Sequence, residues 1–289
     1  MIRSSALLLL AMLVIPHLAE AQPRPGSGGP PIDPNEPNPI DPLESLWIEE
    51  LTFMEVRDAI SGGMTTAIIP TGGVEQNGPY LAAGKHNYIL QQTAEAVARK
   101  LGNALITPIV VFVPQGDMDV APGTMRYPGT IGVTNETFKS LLGDIATSLR
   151  ASGFRNIIMI GDSGGNQEPQ AEVAEHLSAR WTDGHTKLFH IPEYYNWVER
   201  QEWLRERGIN EVMQPIGLHD EFSATAIMML TDPTTVRMEQ RIRAGHFSVN
   251  GVDLAPVSRT RALGAELVDW ISDVTVTAIH KVIQHSDVN

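Results

Sequence analysis

The chain has 289 residues and carries 34 Asp and Glu against 21 Lys and Arg, a formal net charge of −13. Without a basic stripe to follow a phosphate backbone, nucleic acid and anionic membrane surfaces are excluded as partners. The absence of cysteine rules out disulfides, thiolate metal ligands and a thiol nucleophile, so stability has to come from a core.

The first segment pairs Met1-Ile2-Arg3 with an apolar run from Ala6 to Ile15 and ends in Ala19-Glu20-Ala21 before Gln22. A charged start, a short apolar stretch and a small-residue cleavage site predict a secretory signal peptide over residues 1–21. The run is too short to span a bilayer. The mature protein is therefore expected to be exported, periplasmic or secreted, and free of the membrane; an uncleaved anchor is the alternative. Residues 22–45 are rich in Pro and Gly and nearly free of apolar side chains, which predicts an extended linker. Residues 46–289 remain, enough for one domain with a substantial core.

Within that domain strand-like and helix-like segments alternate. Thr65–Pro70 is a β-branched run, and Asn87–Leu101 has apolar residues at helical spacing. Ala104–Val113 reads as a buried strand. Thr134 is placed to cap a helix running to about Ser152, followed by a strand over Asn156–Ile160. Further on we expect a helix over Pro169–Trp181, a strand over Lys187–Ile191, and helices over Asn196–Glu206, Phe222–Leu230 and Arg261–Gln284. Apolar strands alternating with helices predict a three-layer α/β/α sandwich with a mostly parallel central sheet. Its ligand crevice should lie beyond the carboxyl ends of the strands.

The loop "GDSGGN" (residues 161–166) opens after one of those strands and admits three readings. The string also surrounds the nucleophile of chymotrypsin-like proteases, but those are antiparallel barrels and this pattern is α/β. As a nucleophile elbow, Ser163 follows a strand and precedes a helix, with Asp183 or Asp220 and then His246 or His280 downstream. The third reading is a metal-site loop whose histidine has been replaced.

The third reading draws on three other segments. "PTGGVEQNGPYLAAGKHN" (70–87), "RYPGTIGV" (126–133) and "GLHDEFSATAIMM" (217–229), with the GDSGGN loop between the last two, follow one another in order. Together they resemble the motifs of the creatininase (creatinine amidohydrolase) family from about Leu46 to His285. The family patterns are Glu-x-His-Gly-Pro-His with a later Asp, Phe-Pro-Gly-Thr, Asn-Gly-His-Gly-Gly-Asn, and His-Ala-Gly followed by Glu-Thr-Ser.

The resemblance implies a three-layer α/β fold, hydrolysis of a C–N bond in a small, often cyclic, amide, and a water activated by a divalent ion. By it Glu75, His86, Asp162 and His219 would be metal ligands, holding one Zn2+, with Mn2+ as the other candidate. Glu221, His219 and Ser163 would be catalytic, and Asn77, Tyr80, Ser163 and Asn166 would contact substrate. It also implies a homo-oligomer, commonly a hexamer. The chain departs from the family pattern at several ligand positions. Asn77 and Ser163 replace histidines, His86 replaces the bridging aspartate, and Ala224 replaces an acidic residue. A metal-free serine hydrolase using Ser163, and a non-catalytic binding protein on the same scaffold, are the alternatives.

Overall fold

The computed structural model describes residues 33–182, 184–212 and 219–288. The expected signal peptide lies outside the described residues, as do most of the expected linker and Asp183. The described part of the first unit (Met1–Pro37) holds a turn in which Asn35 N donates to Asp33 Oδ1 at 2.9 Å. In the second unit, Asn38–Asn289, the chain is fastened early: Leu43 N donates to Glu55 Oε1 at 2.6 Å. Glu55 also closes a capping box with Thr52 at the start of α1 (Phe53–Ser61).

Four strands form a wholly parallel sheet in the order β2-β1-β3-β4. They are β1 (Thr66–Thr71), β2 (Ala104–Ile106), β3 (Asn156–Gly161) and β4 (Lys187–His190). All six residues of β1 are buried, as a strand covered on both faces requires. Alternate side chains sort to opposite faces. Ile68, Ile158 and Ile160 join the core packed by α2 (Lys85–Leu101), α6 (Phe222–Thr231) and α8 (Val257–Val288). Ala67, Ile69, Ile157 and Met159 join the core packed by α3 (Asn135–Ala151) and α4 (Gln167–Arg180). These are the three layers expected.

Most expected elements are present within a few residues, and Thr134 caps α3 by accepting from Thr137 N at 3.1 Å. The strand expected over Ala104–Val113 is cut to Ala104–Ile106. Pro108 has no N–H to give the ladder, and beyond it the chain touches the sheet only through single bridges such as Thr71 with Val110. The helix expected over Asn196–Glu206 is α5 (Trp197–Glu206), and two features the periodicity did not suggest complete the domain: α7 is Met238–Arg243, and β5 (Ser248–Val249) pairs with β6 (Val252–Asp253). Among the described residues no helix is long and apolar enough to cross a membrane.

Candidate functional site

A cavity of about 660 Å³ opens at the carboxyl ends of β1 and β3. Four segments meet in it. The loop after β1 brings Glu75, and the first turn of α2 brings Lys85 and His86. The loop after β3 brings Asp162 and Ser163, and the segment before α6 brings His219, Asp220 and Glu221. Tyr195, Trp197 and Arg200, at and just before α5, complete the wall.

The loops hold their shape through backbone-directed side chains. Asn166 is fully buried, and its Nδ2 donates to Thr71 O, Thr71 Oγ1 and Gly72 O at 3.1, 2.9 and 3.0 Å. This amide ties the end of β1 to the loop after β3. Gly161 leaves room beside it, since a Cβ there would stand 2.6 Å from Gln170 Nε2 and force that amide to shift. Asn77 does the same in the first loop, its Nδ2 donating to Glu75 O and Ala82 O at 2.9 and 3.2 Å.

The centre of the site is a chain of charged groups in direct contact. His86 Nε2 lies 2.9 Å from Glu75 Oε1 and His86 Nδ1 2.8 Å from Asp162 Oδ2. His219 Nδ1 lies 2.9 Å from the same Glu75 oxygen, and Lys85 Nζ 3.5 Å from it. The Lys85 ammonium also donates to His219 O at 3.2 Å. Arg200 Nη2 is 3.7 Å from Asp162 Oδ1. Glu75, Lys85, His86, Asp162 and Arg200 are all buried.

Burial alone would raise the Glu75 carboxyl, but hydrogen bonds from His219 and His86 and the Lys85 charge outweigh it and hold it well below the usual carboxylate range. Burial and Lys85 push His86 down; its bonds to Asp162 and Glu75 overcome them and the imidazole is raised. An imidazole with a carboxylate oxygen against each nitrogen donates from both, which is the cationic form.

These donors do not fit a divalent ion as they stand. Zinc is held at about 2.0–2.2 Å by nitrogen or oxygen lone pairs. Both nitrogens of His86 are spent on carboxylates, and the ring holds Glu75 Oε1 and Asp162 Oδ2 at its two opposite ends. An ion on Glu75 would also face the Lys85 ammonium. Unit charges 4 Å apart repel by roughly 4 kcal/mol at an effective dielectric of about 20, and a divalent ion doubles that. Among the described residues no group of three His, Asp or Glu side chains is arranged to hold a metal.

The remaining residues expected at the site divide. Ser163, His219 and Glu221 line the cavity, whereas Asn77, Tyr80 and Asn166 are absent from its lining. Asn77 and Asn166 spend their amides on backbone, as above, and the Tyr80 ring lies under the Arg241 guanidinium at 4.5 Å. Among the described residues no hydrogen bond links Ser163 Oγ to a histidine, so the base a serine nucleophile needs is not in place. Ala224 is fully buried in α6. Glu221 accepts from Trp197 Nε1 at 3.2 Å and from Ser223 Oγ at 2.9 Å. Lys85, Tyr195, Trp197 and Arg200 belong to the site and went unread in the sequence. Only Lys85, adjacent to His86 within a recognised motif, carried a local signal.

Comparison with known proteins agrees with this architecture. The family model for creatininase, described as creatinine amidohydrolase, matches residues 49–279. The chain is similar to a 3-dehydro-scyllo-inosose hydrolase of Thermotoga maritima, 26% identical over 170 residues, covering 56% of this chain and 49% of that protein. It is also similar to a creatinine amidohydrolase of Pseudomonas putida, 23% identical over 117 residues, covering 40% and 44%. The chain thus spans about half the length of the curated relatives it matches. The crystal structure of a creatinine amidohydrolase (creatininase) shares the fold, with a TM-score of 0.56 at 19% identity over 84% of this chain and 98% of the other. Other creatininase structures of the same likeness include one of Zn–Zn type and a manganese form. With four motifs in order, a three-layer parallel fold and a family match over most of its length, the chain belongs to the creatininase family.

Proposed function

We propose that this protein is an exported hydrolase that cleaves a C–N bond of a small amide in the cavity at the ends of β1 and β3. The observation that carries the reading is the Glu75–His219 pair at the cavity wall. Glu75 is held ionised, so at 2.9 Å it accepts from His219 Nδ1 and turns Nε2 away from the carboxylate. A histidine oriented this way by a carboxylate is suited to act as a general base on water.

The resemblance leads one to expect a metal-activated water, but because the donors do not fit an ion, no step is routed through one. Water attacks the amide carbonyl carbon and gives a proton to His219 Nε2. Negative charge growing on the carbonyl oxygen is offset by the buried cations Lys85 and Arg200, both of which line the cavity. The proton then passes to the leaving nitrogen, the C–N bond breaks, and an acid and an amine result. Glu221 lines the same cavity, where it can relay that proton. Trp197, partly exposed beside it, offers an apolar face to a small or cyclic substrate.

Export rests on the N-terminal pattern and is tested by sequencing the mature N-terminus, expected at Gln22. The expected oligomer is tested by light scattering. The decisive assay is the appearance of a new amino group across a panel of small amides, by release from linear ones or by ring opening of cyclic ones. Turnover that is lost in His219→Gln and largely kept in Ser163→Ala supports the reading. The reverse pattern would install Ser163 as nucleophile. Tight binding of panel compounds without turnover by any variant would make the protein a binding protein.

A further inference from the structure

We propose that this member of the family has exchanged its metal ion for basic side chains: Lys85, His86 and Arg200 occupy the buried carboxylates, and the site is assembled with no metal bound. Several independent observations converge on this.

Glu75 and Asp162 are 4% and 3% exposed, and two carboxylates that deep need positive charge within contact. They have it already. His86 bridges them at 2.9 and 2.8 Å, Lys85 stands 3.5 Å from Glu75, and Arg200 stands 3.7 Å from Asp162. Three basic side chains thus occupy the two carboxylates, and a divalent ion would have to displace His86 and share Glu75 with the Lys85 ammonium. The N-terminus of α2, which carries Lys85 and His86 in its first turn, adds the positive end of a helix dipole to the same spot.

The substitutions seen in the sequence point the same way. Where the family pattern has an aspartate, this chain has His86, so the charge at that position is reversed. Where the pattern has ligating histidines, it has Asn77, whose amide nitrogen is spent on two backbone carbonyls, and a serine. The acidic position further on is Ala224, closed in the core. Loss of a single ligand would weaken an ion site. Loss of these together with the gain of cations against both remaining carboxylates converts it. Lys85 and Arg200 both reach the cavity wall, among its carboxylates, and the substrate atom they would receive is an electron-rich oxygen such as an acyl oxygen.

The inference rests on the reading of this cavity as the working site, but its test does not depend on finding a substrate. The mature protein, produced with zinc and manganese in the medium, is analysed for metal by mass spectrometry, and its melting is followed with chelator, Zn2+ or Mn2+. The expected result is metal far below one equivalent per chain and no shift of Tm with any addition. Lys85→Arg, which keeps the charge, should behave alike. The double variant Lys85→Met, His86→Asp should melt lower than the parent and recover part of the loss with Zn2+ or Mn2+, because it leaves three carboxylates around an open centre. One equivalent of metal in the wild-type protein, with a fall in Tm when it is stripped, would overturn the proposal whether or not the double variant folds. Metal-free protein that hydrolyses no amide would leave this proposal standing and remove the hydrolase reading instead.

Discussion

Replacing His86 by alanine removes the group that joins the two buried carboxylates. Glu75 keeps His219 and Lys85, but Asp162 loses its closest side-chain partner: its Oδ1 already lacks a hydrogen bond, and Arg200, at 3.7 Å, and the Tyr194 hydroxyl are what remain beside it. Breaking a buried pair by removing one partner costs about 3–5 kcal/mol. For a domain of this size about 1 kcal/mol corresponds to 2–4 °C, so His86→Ala should lower Tm by roughly 6–20 °C. The pH dependence has a definite sign. The folded pKa of His86 is raised, so its contribution is fully present below the unfolded value of about 6.5 and is lost as pH rises through the folded one. The deficit of the variant should therefore be largest in mild acid and shrink as pH rises. Urea unfolding followed by circular dichroism measures it. The cost of His86→Ala should also fall by about 0.5–3 kcal/mol when Asp162 is already asparagine. Strict additivity of the two substitutions, or a loss under about 1 kcal/mol, would refute the argument that His86 acts as the charge bridge.

Three further outcomes follow from the structure. Burial raises Glu211 to about 7, against bonds from Phe222 N and Asn250 Nδ2, while its Oε2 is buried without a partner. Glu211→Gln keeps the accepting oxygen and should raise Tm near pH 8 while changing little near pH 4, since the cost of ionising Glu211 grows only as pH climbs from about 4.3, the ordinary glutamate value, through the folded value. Thr134→Ala removes the cap of α3 and should cost about 1 kcal/mol in urea unfolding with activity retained. Gly264 lets α8 lie against α6, where a Cβ would stand 2.5 Å from Ala226 O; Gly264→Ala should destabilise by about 1–3 kcal/mol, and an unchanged Tm would show that the two helices separate freely.

The layers were legible because local and global signals agreed. β1 and β3 each carry an apolar run, residues 67–70 and 157–160, and α3 has a capping threonine at one end and Gly153 just past the other. The second strand was over-read because a mostly apolar stretch of ten residues looks continuous while the regular ladder ends at Ile106, just before Pro108. At the site, motif order indicated which loops would meet. It did not indicate that their side chains would bond to one another. Lys85 beside His86 reads as a surface pair in one dimension, and its burial is a tertiary fact. Arg200 and Trp197 belong to a helix whose pattern is weak and whose place against Asp162 and Glu221 depends on how α5 packs.

Asn166 bears on how such a site changes over time. One amide hydrogen-bonding to three oxygens across two loops fixes the spacing of the strand ends without help from position 163. The residue at 163 therefore projects from a frame that does not depend on it. A histidine, a serine or another side chain can be tried there at little risk to folding, while residue 166 is far less free, since aspartate would set a charge against three acceptors. In this loop the part that sets chemistry is separated from the part that sets shape, and a lineage can exchange the first while inheriting the second.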